Sequence, residues 1–340
     1  QVPAAAKLES IIFTPTAVVQ VIKKLKPKLS SGPDQLPPFV LKKIGSSVVG
    51  PLAEFFNSFM SVGQVPAEWK PAVVTPLYKT GSPSDCANYR PVSLTCCICK
   101  VMERITASQV SDYLRKHGVI NKQQHGFLSR RSTTTNLLET LNDWTIALKV
   151  RQSVAVAYID FSKAFDVVSH RKLFQKLSAY GLGGCLLEWI KNLLTGRTQS
   201  TRVGSSCSSI RTVTSGVIQG SCLFLFHVNG VTSVLEQSGL IDHNSRCRLY
   251  ADDLKIYSVF DQRNGDMTLQ GDLTRLKHWA DTWQLSMSVK KCACMNIGSK
   301  FSAPRQYSVG NQAIPTVQSY SDLGVKLLTT NLPSENIYCT

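Results

Sequence analysis

Acidic side chains are scarce in this chain: 22 Asp and Glu stand against 38 Lys and Arg in 340 residues, a formal charge of +16 with a pI near 9.4. No apolar run reaches the ~18 residues a membrane helix needs, and the N-terminus has no charged stretch followed by an apolar one. Repeats and low-complexity tracts are also lacking. The eleven cysteines are odd in number and scattered. Cys96-x-x-Cys99 has no second pair at zinc-finger spacing, and Cys292-x-Cys294 lies far away. Neither a disulfide framework nor a structural zinc is expected, and the cysteines read as reduced and buried. These absences point to an intracellular chain with no membrane partner.

What is present is a folded, basic protein. At 43% hydrophobic and 18% charged residues the chain can bury a sizeable core, and its length allows about two domains. Residues 1–150 hold 18 basic and 9 acidic side chains, and the rest hold 20 and 13, so the excess is spread along the chain. That distribution excludes a basic tail on a neutral enzyme. It favours a polyanionic partner, most often nucleic acid, over the alternative of an ordinary basic protein. The start at Gln1 reads as a segment of a longer reading frame.

Periodicity predicts helices over 16–29, 48–62, 97–116, 133–149, 171–180, 185–195 and 268–283. Strands are expected at 72–78 and 153–160, and as two short runs from Arg246 to Val259 around Tyr250-Ala251-Asp252-Asp253. A hairpin is expected from 199–204 and 210–217, and further strands follow Gly298, Gly310 and Gly324. Without regular strand-helix alternation, the fold class is α+β.

Two acidic sites follow short apolar runs: Asp160 after Ala157-Tyr158-Ile159, and Asp252 with Asp253 after Leu249-Tyr250-Ala251. Carboxylates held by a rigid sheet are natural ligands for Mg²⁺, a hard cation that prefers oxygen. In a two-metal site about 3.5–4 Å across, one ion serves the attacking oxygen and the other the leaving oxygen, so phosphoryl transfer is the reaction class. An isolated Asp-Asp is more often a solvated turn. The pairing of two such sites in a basic chain favours the chemical reading.

The residues then resemble a family. Tyr250-Ala251-Asp252-Asp253 resembles the Tyr/Phe-x-Asp-Asp box of reverse transcriptases, and Asp160 through Asp166 resembles their first palm box. Thr214 through Ser221 is similar to the Ser-Gly-Val-Pro-Gln-Gly-Ser box. Asn88 through Leu94, and Gln124-His125-Gly126-Phe127 with Arg131-Ser132-Thr133, resemble the finger boxes of non-LTR (LINE-type) retrotransposons, nearest the jockey-like branch. Trp283-Gln284-Leu285, Lys291-Cys292 and Asp322-Leu323-Gly324-Val325 resemble that branch's later boxes. The likeness runs in order from about residue 29 to about 328.

The resemblance implies a right-hand polymerase with fingers and palm, the thumb largely missing, and a palm of antiparallel sheet backed by helices. Its boundaries would be an N-terminal extension at 1–28, fingers at 29–150, palm at 151–300 with the nucleotide and template box at 205–230, and the primer-grip region and start of a thumb at 301–340. Asp160, Asp252 and Asp253 would hold two Mg²⁺, with Mn²⁺ as a substitute; Asp253 could instead hold the turn. Phe161, Phe165, Gln219, Gly220, Lys79, Arg90 and Arg131 would contact the deoxynucleotide or the template. The Phe165 ring would exclude a 2′-hydroxyl, the alternative being a plain core side chain. Lys291 would protonate departing pyrophosphate. His125 is expected to bond backbone, and Asp166 to be structural. The partners implied are an RNA template, a DNA primer or target, and deoxynucleoside triphosphates, with an endonuclease elsewhere in the parent polyprotein and a nuclear site of action.

The sequence departs from the family where Ile218 replaces Pro, Leu128 replaces Arg and Ser288 replaces Asn. Gly220-Ser221-Cys222-Leu223 also runs directly into Phe224, where a Gly-Pro-Leu-Leu stretch is usual. Two rivals stay open: a decayed copy that only binds nucleic acid, and a two-metal nuclease or other nucleotidyl transferase.

Overall fold

The computed structural model describes residues 7–218, 221–232, 245–260, 268–298 and 306–329. The chain divides into two compact units, one of residues 1–119 and 169–223 and the other of residues 120–168 and 224–340. The architecture is mixed helix and sheet, with the strand pairs antiparallel apart from one parallel pair, Pro71–Val74 against Thr198–Thr201, and isolated bridges.

In the first unit the helix Pro15–Lys24 opens on Thr14, whose side chain accepts the Ala17 N–H, and buries Val18 and Ile22. The next helix is longer than periodicity predicts. It runs Pro38–Ser61 and contains Pro51. Lys42, Lys43 and Gly45 mask its apolar stripe in sequence, whereas Pro38 at the first helical position suits a helix start. The helix Cys97–Lys116 matches its expected span, and its first N–H is capped by Asp34 Oδ2 at 3.1 Å. The strand Tyr89–Leu94 was hidden by Pro91, which is tolerated because this strand lies at the sheet edge. The expected hairpin is only partly formed: Thr198–Val203 pairs with two short runs, Ser206–Cys207 and Arg211–Thr212.

The second unit is built on a four-stranded antiparallel sheet ordered Ser245–Tyr250, Asp253–Phe260, Ser153–Ile159, Ala293–Ile297. Every residue of Ser153–Ile159 is buried, so this central strand is covered on both faces. Alternation puts Val154, Val156 and Tyr158 on one face, where they pack with Trp144, Tyr257, Met295 and Ile297. Trp144 belongs to the helix Thr133–Lys149, which begins with a capping box between Ser132 and Thr135. The helix Thr268–Trp283 buries Leu269, Leu273, Leu276 and Ala280 against the same sheet. Charge ties the first of these helices to the edge strand: Asp143 accepts from Arg246, Arg248 and Tyr257.

Among the described residues no helix is long and apolar enough to cross a membrane. Among the described residues the cysteines are free; Cys96, Cys97, Cys99, Cys247, Cys292 and Cys294 are buried, whereas Cys86 and Cys207 are exposed, against the expectation of burial.

Lys176, on the helix His170–Ala179, is 6% exposed, and burial pulls its ammonium down to about 7. Between pH 7 and the ordinary lysine value the unfolded chain holds a proton that the folded chain has released, so stability rises with pH across that window. Below pH 7 both states are protonated and the cost of burying the charge is fully present. Lys176→Met is therefore expected to stabilise the fold at pH 7 by on the order of 2–4 kcal/mol, a gain that fades towards pH 10. Denaturant titration of both proteins at pH 7 and 10 measures it; equal gains at the two values contradict the burial effect.

Candidate active site

Strand register builds the site. Tyr158 pairs with Lys255 and Ile159 with Leu254, and the same antiparallel register carried one residue further sets Asp160 beside Asp253. On the other side Tyr250 pairs with Asp253, so Ala251 and Asp252 form a two-residue turn. Three sequence-predicted carboxylates thus converge at one end of the sheet. Their mutual repulsion is visible in Asp253: although its side chain reaches solvent, crowding by protein followed by the charges of Asp252, Asp322 and Asp160 pushes its carboxyl up to about 6.

The strand end is pinned from below. Asp160 N–H points at Cys292 Sγ at 3.4 Å, and Asp160 C=O accepts the Ser288 N–H at 2.8 Å. Ser162 N–H donates to Ser286 O at 2.8 Å, and Phe161, buried, bridges to Met287. The Lys-Cys box therefore splits its duties: Cys292 lies under Asp160, while Lys291 is exposed on the turn before the strand Ala293–Ile297.

Phe165 is 8% exposed, stacked on Phe224 at 4.2 Å and met edge-on by Phe127 at 6.3 Å. The ring is held between these neighbours and is almost wholly covered. Arg131 is partly buried, and its Nη1 lies 2.8 Å from His125 Nε2 and 3.4 Å from Glu139. Contrary to expectation, the His125 imidazole bonds side chains and not backbone. Its Nδ1 faces Thr135 Oγ1 at 3.0 Å, whose own proton goes to Ser132 O. The tautomer that satisfies all three is Nδ1–H donating to Thr135, with Nε2 accepting from Arg131. Burial, followed by the Arg131 charge, lowers the His125 pKa, in keeping with a neutral ring. Asp166 is pushed upward by burial.

Lys79 and Arg90 belong to the other unit. Arg90 lies on the strand Tyr89–Leu94 opposite Leu77, and Lys79 follows the strand Pro71–Tyr78 with its N–H on Asn88 O; both side chains are exposed. Gln219 and Gly220 lie outside the described residues.

Sequence reasoning missed two contributors. Lys255 and Asp322, 3% and 5% exposed, form a buried ion pair at 2.5 Å beside Asp253. Gln124, 1% exposed, accepts the N–H groups of Gly126 and Ala251 on one side-chain oxygen. The ion pair had two sequence signals: a lysine two residues after the Asp-Asp turn on a strand otherwise rich in apolar residues, and Asp322 at the head of a later family box.

The donor set suits a hard divalent cation: all three converging groups are carboxylates, and the charges of Asp252, Asp322 and Asp160 add to the burial that pushes Asp253 upward. Among the described residues no group of three or more His, Cys, Asp or Glu is already closed into a metal-holding arrangement. The fit therefore rests on oxygen chemistry and on the register that juxtaposes Asp160 with Asp253.

The antiparallel sheet is palm-like, with paired aspartates at a hairpin and a third just past the end of the neighbouring strand. Residues 78–327 match the family model described as reverse transcriptase (RNA-dependent DNA polymerase), and the chain belongs to that family. Within it the likeness is to the jockey-like, non-LTR branch. The chain is 30% identical over 325 residues to the RNA-directed DNA polymerase from mobile element jockey of Drosophila melanogaster, covering 91% of this chain and 34% of that protein. It is 27% identical over 342 residues to the protein of the same description from Drosophila funebris, covering 96% and 36%. Similarity to the probable RNA-directed DNA polymerase from transposon BS of Drosophila melanogaster is 27% over 303 residues, covering 84% and 33%. The chain thus spans about a third of the length of these relatives.

Removing one member of the buried pair should cost more than removing both. Lys255→Met is expected to destabilise the fold by about 3 kcal/mol or more, because Asp322 is left charged and buried near Asp253. Lys255→Met with Asp322→Leu should recover most of that loss. Urea denaturation of the two variants tests this; a double variant as unstable as the single one shows that the charges are not coupled.

Proposed function

We propose that this chain is the RNA-directed DNA polymerase segment of a jockey-like retrotransposon polyprotein, extending a DNA primer on an RNA template. The observation that carries the reading is the strand register setting Asp160 beside Asp253, with Asp252 on the adjoining turn, in a chain of this family. The primer 3′-hydroxyl attacks the α-phosphorus of a deoxynucleoside triphosphate; a new phosphodiester bond forms, and pyrophosphate leaves. Asp160, Asp252 and Asp253 would hold two Mg²⁺, with Mn²⁺ as a substitute. When bound, such ions neutralise the negative charge that develops on the reacting phosphate oxygens.

Around these carboxylates the chain supplies shape and charge. The Phe165 ring, held by Phe224 and Phe127, would meet the sugar of the incoming nucleotide and exclude a 2′-hydroxyl, and Phe161 would contact the nucleotide or template. Gln219 and Gly220 would face the nucleotide and template, and Lys79, Arg90 and Arg131 the triphosphate or template backbone. Lys291 would give a proton to the departing pyrophosphate. In this reading residues 29–150 are fingers, 151–300 palm, and 301–340 the primer-grip region and start of a thumb, after an extension at 1–28. The endonuclease would lie elsewhere in the polyprotein, and the site of action would be the nucleus. The missing stretch after Ser221 favours one second reading, a decayed copy that binds nucleic acid without turnover.

Asp252→Asn is expected to abolish incorporation in a Mg²⁺-dependent primer-extension assay while RNA affinity stays within about twofold, because an amide keeps the shape but not the charge of the ligand. Incorporation at the parent rate removes Asp252 from the site. A parent chain that binds RNA but never extends the primer supports the decayed copy, and shortening of the primer a nuclease.

Phe165→Val is expected to raise ribonucleotide use relative to deoxynucleotide use at least tenfold by removing about 1.4 kcal/mol or more of discrimination. The ratio of the two kcat/KM values is the measurement, since a loss of folded protein cancels from it. An unchanged ratio assigns the ring to packing alone.

A further inference from the structure

Residues 121–127 run along the outer edge of the second unit's sheet. Leu249 N–H donates to Gln123 O at 3.0 Å, His125 N–H donates to Leu249 O at 2.8 Å, and Gln124 and Leu249 form a parallel bridge. Asn136 Nδ2 adds a second donor to Leu249 O at 3.1 Å. This edge pairing brings the Gln124 side chain to the Asp-Asp turn. Its Oε1 accepts Gly126 N–H at 2.6 Å and Ala251 N–H at 3.3 Å. Two converging N–H donors identify that atom as the carboxamide oxygen.

Ala251 needs such a restraint. Its φ is +60°, in the left-handed region that a side chain with Cβ resists. An independent observation marks the same contact: a Cβ on Gly126 would stand 2.3 Å from Ala251 N. Backbone meets backbone there, and no larger residue at 126 fits without moving the turn.

We propose that Gln124 is a positioning residue for the paired aspartates: its carboxamide oxygen holds Ala251 in the left-handed conformation and so fixes the direction in which Asp252 leaves the turn. The inference rests on the reading of Asp160, Asp252 and Asp253 as the catalytic carboxylates, yet it can fail separately. Freed of the bond, Ala251 relaxes towards negative φ, and Asp252 moves with the turn. A misplacement of about 1 Å at a reacting centre can cost on the order of a hundredfold in rate.

Gln124→Met keeps length and apolar volume but removes the acceptor. Primer extension with this variant is expected to show kcat lower by about 10- to 100-fold with KM for the deoxynucleotide within about twofold. Amide hydrogen exchange at Ala251, read in peptides covering 249–254, should quicken by about tenfold or more, with amides of 255–259 unchanged. Adding Ala251→Gly to Gln124→Met should restore at least about fivefold of the lost rate, since glycine takes a positive φ without help. A merely structural glutamine would not be rescued in that way.

Unchanged Ala251 protection in Gln124→Met overturns the clamp, as does a double variant with no recovery, or a parent-like kcat while Asp252→Asn is inactive. Should Asp252→Asn keep its activity, or the parent chain show none, the catalytic reading fails and the exchange measurement alone decides the clamp. If Gln124→Met does not fold, Gly126→Ala takes its place and must quicken exchange at Ala251; parent-like protection there overturns the proposal.

Discussion

Strand register, which brings carboxylates to one end of the sheet, is the constraint on which the site in the second unit depends. An antiparallel pair that matches Ile159 with Leu254 has no freedom to separate Asp160 from Asp253 without slipping. A slip of one residue would turn every buried side chain of Ser153–Ile159 to the opposite face. The core therefore enforces the electrostatic tension. Val154, Val156 and Tyr158 are locked against Trp144 and Met295, each group of that size contributing about 1.5–3 kcal/mol of burial. That is enough to hold acidic groups together at a sheet end where water alone would let them part.

The surroundings of the aspartates are consistent with that tension. A buried lysine two residues along the same strand pairs with Asp322, a fourth carboxylate, and offsets only part of the charge on Asp253. The charge left over is what a divalent cation would compensate. Further away, Asp143 and Glu139 gather Arg246, Arg248 and Arg131, which ties the helix Thr133–Lys149 and the finger-box arginine to the edge strand. A neutral His125 completes this assembly as an acceptor for Arg131, so its conformation depends on not being protonated.

Much of this was legible in the sequence because the signals are local. A short apolar run followed by Asp announces a strand end, and the helices Cys97–Lys116 and Thr133–Lys149 follow their periodicity to the residue. Ordered boxes carried the family, which no single box could do. What stayed hidden depends on contacts distant in sequence. Gln124 and Ala251 are far apart along the chain, and nothing in the composition of either stretch announces that one side chain caps the other. The His125 partners were misjudged for a related reason: whether an imidazole faces backbone or side chains is decided by the helix that follows it, through Thr135 and Arg131. Pro91 hid an edge strand, whereas Pro51 falls inside a helix that periodicity already spans. An edge strand tolerates a proline, and so does a long helix with enough packing, and sequence alone does not say which context applies.

The shortened segment after Ser221 separates two properties that a family match joins. Loss of four residues changes helical phase by about 40°, since each residue turns the chain about 100°. The helix Cys222–Val228 is buried all round: Leu223, Phe224, Leu225, Phe226, His227 and Val228 are all covered. Phe224 even supplies the stacking surface for Phe165. The sheet register does not pass through this helix, for it is fixed by Ser153–Ile159 against its two neighbours. A copy that had lost turnover through the shortened helix would still carry Asp160 beside Asp253, because strand pairing and core packing set that juxtaposition. The geometry of the carboxylates and the rate of incorporation are thus governed by different elements of the chain. Damage to the second leaves the first, and the fold, in place.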